Sequence, residues 1–456
     1  MLYDMPLIQA TAFIASAIIL IALTHWKRIH PFVALVIAAC TFAYVSQLST
    51  ATLALVFGEG FSRRIYTPGL VIVAAGLISG LAESTSASQR LTAMIDGCRK
   101  LTSNWIAGGL GLIAGFGASP AAAFALLSPL LRPIGAQKQT TRGSAAVTLA
   151  LAISASHGLA VLSPVVIASV SILGADWDRT ALFGIPLTIL LIGLGAIFAR
   201  SAPVDKGALP ADQSAAEALK TGPDTRWSGI VLALATMLPL LMLIFRSLAD
   251  VPSEPLGGGW RLEMIVAIGS PLILLLVGVG VMIIGLPRQT LKLIGDSTWT
   301  EHILAKMSGT ILIVCVAGGF AALCQRTAMA ETLSERMLGW HVAPILGICI
   351  PFLIAAAMKT LQGSSLVAAI TAAGMVQPQL MQLGFADTNG KALFALAVGA
   401  GAMTISHVND DYFWLVSRSA GFSPLRAVRT ISLGTLLQGL IALAVLVFVS
   451  FWLPHA

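Results

Sequence analysis

The chain has 456 residues, 57% hydrophobic and only 10% charged, with a mean hydropathy of +0.89; soluble domains carry about 25% charged residues. That much apolar surface excludes a soluble fold. The net charge of +7 and pI near 9.4 do not point to nucleic acid, because the Lys and Arg residues sit in short loops beside apolar runs, the usual topology signal.

In chain order, the clearest apolar runs are 7–24, 31–48, 228–245 and 264–286, near the roughly 20 residues that cross a bilayer. Backbone in lipid must satisfy its own hydrogen bonds, and alternating ten-residue strands are missing from the pattern, so the runs read as helices. The expected class is an all-α integral membrane protein with roughly ten to twelve spanning elements. Met1–Leu2–Tyr3–Asp4 has no basic segment, so the first run reads as a retained span with its amino terminus outside. Loops carrying Lys27 and Arg28, then Arg90, Arg99 and Lys100, then Arg132, Lys138 and Arg142 are expected in the cytoplasm. The polar stretch 201–227 reads as a linker between a first half, 1–200, and a second, 228–456, and 247–261 as an external loop. Cys40, Cys98, Cys315, Cys324 and Cys349 lack disulfide or metal-ligand spacing and read as small packing residues. No metal and no cofactor is expected.

The halves echo each other, over about 58–200 and 300–452. Gly76–Leu81 precedes the polar stretch Glu83–Leu91, as Gly318–Leu323 precedes Cys324–Leu333. A small-residue break follows in each half, Gly115–Phe124 and Gln362–Ala369, and then a Ser-His pair, Ser156–His157 and Ser406–His407. Duplicated halves with interrupted hydrophobic segments at matching positions point to a transporter site.

Polar groups at membrane depth are functional candidates. At Gln362–Gly363–Ser364–Ser365 a glycine lets the helix open, leaving N–H groups and hydroxyls for a carboxylate; small-residue helix packing is the alternative. Ser406–His407–Val408–Asn409–Asp410–Asp411 places a His, an Asn and two carboxylates between apolar runs. Helical spacing sets His407 on one face with Asp410 and Asp411, a set suited to proton exchange or cation binding. A surface loop is the alternative, with Asp411 its first member. Gly117–Ala118–Ser119–Pro120 is the first-half break, open also to a plain proline kink. Ser156–His157 is open to a packing role. Lys359 either meets an anion or snorkels to the interface.

Gln362–Gly363–Ser364–Ser365 through Gly374 resembles the Gln-Gly-Ser-Ala-Thr-Val-Ala segment of the gluconate permease family, and Ser406–His407–Val408–Asn409–Asp410 through Val416 its Ser-His-Val-Asn-Asp signature. The likeness continues more weakly from about Gly58 to the end, including Ser156–His157–Gly158 where the family has Thr-His. It implies a gluconate:proton symporter-like protein of the ion transporter superfamily, typically a homodimer with inverted repeats, re-entrant hairpins and an elevator-type transport domain. Three departures stand out. Ser119–Pro120–Ala121 replaces a Phe-Phe-Asp segment, Ala160–Val166 replaces Leu-Pro-Pro-His-Pro-Gly-Pro, and Asp411–Tyr412 follows the signature in place of Ser-Gly.

The expected activity is proton symport of a small polar organic anion, such as a sugar acid or hydroxy acid, across the cell inner or plasma membrane. Substrate contacts are assigned to Ser119, Ser156, His157, Gln362, Gly363, Ser364, Ser365, Ser406, His407 and Asn409, and proton coupling to Asp410, His407 and Asp411. Sodium held by Asp410, Asp411 and Asn409 is the alternative coupling. An intramembrane enzyme or a channel is a weaker rival.

Overall fold

The computed structural model describes residues 5–85, 87–97, 103–117, 119–135, 141–201, 227–249, 259–286, 295–327, 347–381 and 383–453, with 292, 332 and 335 as isolated positions. Most of the polar linker (202–226), the centre of the expected external loop (250–258), Cys98, Arg99, Lys100, Ala118, Lys138 and Glu331 lie outside the described residues.

The first half runs α1 (Met5–His25), α2 (Pro31–Val45), α3 (Thr50–Arg64), α4 (Leu70–Glu83), α5 (Ala87–Gly97), α6 (Ser103–Ala114), α7 (Pro120–Leu127), α8 (Leu131–Gly135), α9 (Arg142–Leu159), α10 (Pro164–Leu173) and α11 (Trp177–Arg200). The second runs α12 (Ser228–Ala249), α13 (Trp260–Ile268), α14 (Pro271–Gly285), α15 (Ser297–Arg326), α16 (Cys349–Gln362), α17 (Ser365–Val376), α18 (Thr388–Ala402), α19 (Asp411–Ala420), the short α20 (Pro424–Ala427) and α21 (Leu433–Trp452). Among the described residues, five helical stretches are long and apolar enough to cross a membrane, and two further bent pairs qualify jointly, α4 with α5 at 87° and α13 with α14 at 54°. The run expected at 264–286 is thus a broken element. Shorter apolar helices, among them α1, α2, α6 and α16, fill out the bundle.

Peripheral helices show why the sequence needs lipid. α11 turns Gly184, Leu187, Thr188, Leu191 and Gly195 inward at helical spacing and leaves Leu182, Ile185, Ile189 and Ile197 exposed. Exposed Leu234, Leu241, Leu276, Ile284 and Phe448 continue this apolar shell, and extended apolar exposure of this kind marks a surface that meets something other than water.

The centre is built differently. α9 is buried from Ser144 to Leu159 and α18 from Ala392 to Ala402, and both are rich in Ala and Gly, which lets backbones approach closely. They meet at Gly158 and Gly399: a Cβ on Gly158 would stand 2.8 Å from the Gly399 carbonyl oxygen, and one on Gly399 would overlap the Gly158 carbonyl. Long-range hydrogen bonds tie α9 to α19 and α21, and α21 to α11. The Tyr412 hydroxyl donates to the Ala150 carbonyl at 2.8 Å, and Gln438 Nε2 donates to Leu151 and Leu191 carbonyls at 3.2 and 3.1 Å.

Overpacking a tight contact costs about 1–3 kcal/mol, so Gly399→Ala is expected to lower the melting temperature of the detergent-solubilised protein. Gly280→Ala, where a Cβ meets open space, is expected to leave it unchanged or slightly raised.

Candidate functional site

Two interrupted helical pairs, α6/α7 and α16/α17, bring their broken ends to one place. α16 stops because Gly363 takes φ +74°, a conformation open to glycine at little cost. A Cβ there would also stand 2.5 Å from the Asn409 carbonyl oxygen. Ser364 is extended, and its hydroxyl accepts from the Val367 N–H at 3.4 Å to start α17. α7 begins the same way: Ser119 is extended, its hydroxyl accepts from the Ala122 N–H at 3.2 Å, and Pro120 occupies the first helical position, where its missing N–H does no harm.

A helix that stops inside the bundle leaves orphan carbonyls that lipid cannot satisfy. Here side chains meet them. Asn409 Nδ2 donates to Thr360 and Leu361 at 3.0 and 3.2 Å, Gln325 Nε2 to Gln362 at 2.9 Å, and Lys359 Nζ to Gly363 at 3.0 Å. At the end of α6 the Ser156 hydroxyl donates to Leu112 at 2.6 Å, and His157 Nδ1 lies 3.0 Å from the Gly115 carbonyl oxygen. In both halves the segment around the Ser-His pair supplies groups that close the broken helix, Ser156 and His157 in the first and Asn409 in the second.

Between the two breaks lies a cavity of about 120 Å³, room for several waters at the roughly 10–15 Å³ each needs. Ser119, Pro120 and Ala121 line one side and Gly363, Ser364 and Ser365 the other. Ser154 and His157 enter from α9, and Ser406, Asp410, Asp411 and Tyr412 from the second signature. Asp410 starts α19, its carboxylate accepting from the Tyr412 N–H at 3.0 Å and from the Ser406 hydroxyl at 2.6 Å. The starts of α7, α17 and α19 thus converge on one polar space, the arrangement in which helix N–H groups and dipoles favour an anion.

Two ion pairs border the cavity. Lys359 Nζ contacts Asp410 Oδ2 at 2.6 Å, both side chains about 5% exposed or less, and Arg64 Nε lies 3.0 Å from Asp411 Oδ2. Two cations and two carboxylates leave the lining neutral.

A GntP family permease model matches residues 5–452. The chain belongs to the GntP family of permeases. It is 28% identical to a gluconate permease of Pseudomonas aeruginosa over 97% of this chain and 96% of that one. It is 26% identical to the Gnt-II system L-idonate transporter of Escherichia coli over 96% and 97%. It is 25% identical to a D-serine transporter of the same species over 95% and 97%. These relatives are permeases and transporters, not enzymes, and the permease is accordingly an integral multi-pass membrane protein.

Of the residues singled out in the sequence, the permease brings Ser119, His157, Gly363, Ser364, Ser365, Ser406, Asp410 and Asp411 to the cavity. Ser156, Gln362 and Asn409 are buried beside it but are not among its lining residues; Ser156 and Asn409 close helix ends instead. His407 does not share a helical face with Asp410 and Asp411, because 403–410 is not helical and Ile405 adopts φ +52°. Its ring packs against Phe13, 5.6 Å between centroids, away from the cavity lining. Lys359 does not snorkel: its ammonium is buried against Asp410. Asp411 is no surface-loop residue, since it is buried and paired with Arg64. Arg64 escaped the sequence reading, although Arg63–Arg64 followed by Pro68 within an apolar stretch was a signal of an intramembrane charge. Pro68 has no N–H for the Arg64 carbonyl, and the helix widens there into a π-turn over Ile65–Gly69, the Leu70 N–H reaching Ile65. Such bulges re-aim neighbouring side chains at functional sites.

Asn409→Ala leaves the Thr360 and Leu361 carbonyls unmet, and Gly363→Ala forces alanine into a left-handed conformation at about 1–2 kcal/mol as well as against Asn409. Both are expected to lower the melting temperature, each unmet carbonyl costing about 1–3 kcal/mol.

Proposed function

We propose that this permease imports a small polar organic anion, a sugar acid or hydroxy acid, by proton symport across the cell inner membrane. The observation that carries the reading is the neutral, buried quartet Arg64, Lys359, Asp410 and Asp411 around a cavity faced by three helix starts. The relatives are named for gluconate, L-idonate and D-serine, which share a carboxylate and hydroxyl groups.

Coupling follows from charge balance. An anion entering a neutral, buried site leaves an uncompensated charge, which is costly. A proton taken up by Asp410 restores neutrality and releases Lys359 to meet the substrate carboxylate beside the N–H groups of α17. Ser119, Ser364, Ser365, Ser406 and His157 then face the substrate hydroxyls. Asn409, Ser156 and Gln362 act behind this layer, by holding the helix ends. His407 influences Asp410 through its place in the same loop, and Asp411 sets the position of Arg64. Sodium coupling has less support, since both carboxylates already hold cationic side chains. The matching order of helix, break and helix in the two halves supports a duplicated architecture, and the family likeness supports inverted repeats, an elevator-type domain and a homodimer in the lipid.

In proteoliposomes, gluconate uptake is expected to concentrate substrate under an inward proton gradient. Asp410→Asn, a mimic of the protonated acid, should retain counterflow and lose concentrative uptake; gradient-driven accumulation at the unmodified level would remove Asp410 from coupling. Lys359→Gln should weaken the thermal stabilisation by gluconate, its apparent affinity falling at least about tenfold, or roughly 1.4 kcal/mol.

A further inference from the structure

A second cavity, of about 480 Å³, adjoins the site between α3 and α15. Its charged lining is Glu59, Arg63, Arg64 and Arg326, three cations against one acid. Arg64 and Ser364 line both cavities, so both residues stand where the two meet.

The placement of Arg64 is specific. A Cβ on Gly318 of α15 would overlap the Arg64 Cγ, and one on Gly60 would stand 2.6 Å from the Gly318 carbonyl oxygen. Glycines at this crossing leave the passage that the arginine stem occupies. Its guanidinium Nε lies close to Asp411 Oδ2 but without the alignment of a hydrogen bond, and the Arg64 side chain is 26% exposed where Asp411 is 11%. A charge contact of this kind is one that a second carboxylate can replace. Gln325, also on the wall of the larger cavity, holds the Gln362 carbonyl at the broken end of α16.

We infer that the larger cavity is an anion-collecting vestibule. A small organic carboxylate is first held by Arg63 and Arg326 and then passes to the inner cavity as Arg64 exchanges Asp411 for the substrate. The inference rests on the organic-anion reading above for its ligand, while the positive character of the vestibule stands apart from it. Clefts lined by one sign of charge raise the capture rate of opposite ions by 10- to 1000-fold, and salt screens the effect.

Two measurements test this. For gluconate uptake, the double variant Arg63→Gln/Arg326→Gln is expected to raise KM about tenfold with little change in Vmax and to flatten its dependence on ionic strength; unchanged KM and salt dependence overturn the vestibule. Independently of any substrate, Thr52→Cys in a background with the five native cysteines replaced by alanine places a thiol in this cavity. A sulfonate-bearing methanethiosulfonate should react faster there than a trimethylammonium one, relative to their rates with a free thiol, and the double variant should abolish the preference. Equal relative rates with the arginines present overturn the proposal and assign Arg63 and Arg326 to lipid headgroups. A clear sulfonate preference in a protein that moves no gluconate upholds the vestibule and removes gluconate from the proposed function.

Discussion

A helix that ends within the hydrocarbon has no water to take its last carbonyls, and the rest of this site follows from how the protein supplies them. Asn409, Gln325 and Lys359 take those of α16, and Ser156 and His157 those of α6. Once the carbonyl ends are closed by side chains, the N–H ends of the next helices are left facing the cavity. The cavity is thereby bordered by helix starts as well as by serine hydroxyls and two ion pairs.

The ionised groups that remain are paired, and pairing is what allows them to be buried. Lys359 has two partners, the Gly363 carbonyl and the Asp410 carboxylate, so one cation links the broken helix end to the start of α19. Breaking such a buried pair without replacement costs about 3–5 kcal/mol. The charges around the cavity are therefore balanced, and a charged group added alone would be left without a partner.

The two halves reach similar geometry with different chemistry. Ser119 and Ser364 are near copies in backbone and in the hydrogen bond each makes. The first-half break carries no ionised side chain of its own, whereas the second signature brings Asp410 and Asp411. The first half contributes its charge through Arg64, from a different helix. This asymmetry accompanies the sequence departures from the gluconate permease pattern: the acid missing at Ser119–Pro120–Ala121 is matched by an added one at Asp411.

Composition and the length of the apolar runs determined that the chain is a helical membrane protein, because lipid leaves no other way to satisfy its backbone. The glycine and serine breaks were legible for the same local reason: Gly363 and Ser119–Pro120 specify backbone conformations wherever they stand. The apolar run at 264–286 was legible as hydrophobic, while its bend was not, since Gly269 and Ser270 look like ordinary small residues in sequence. The pairing of Arg64 with Asp411, the burial of Lys359 and the displacement of His407 from the cavity belonged to the tertiary structure. Each depends on which distant segment lies opposite, and helical periodicity, the tool that placed His407 beside Asp410, fails where the chain leaves the helix at Met403.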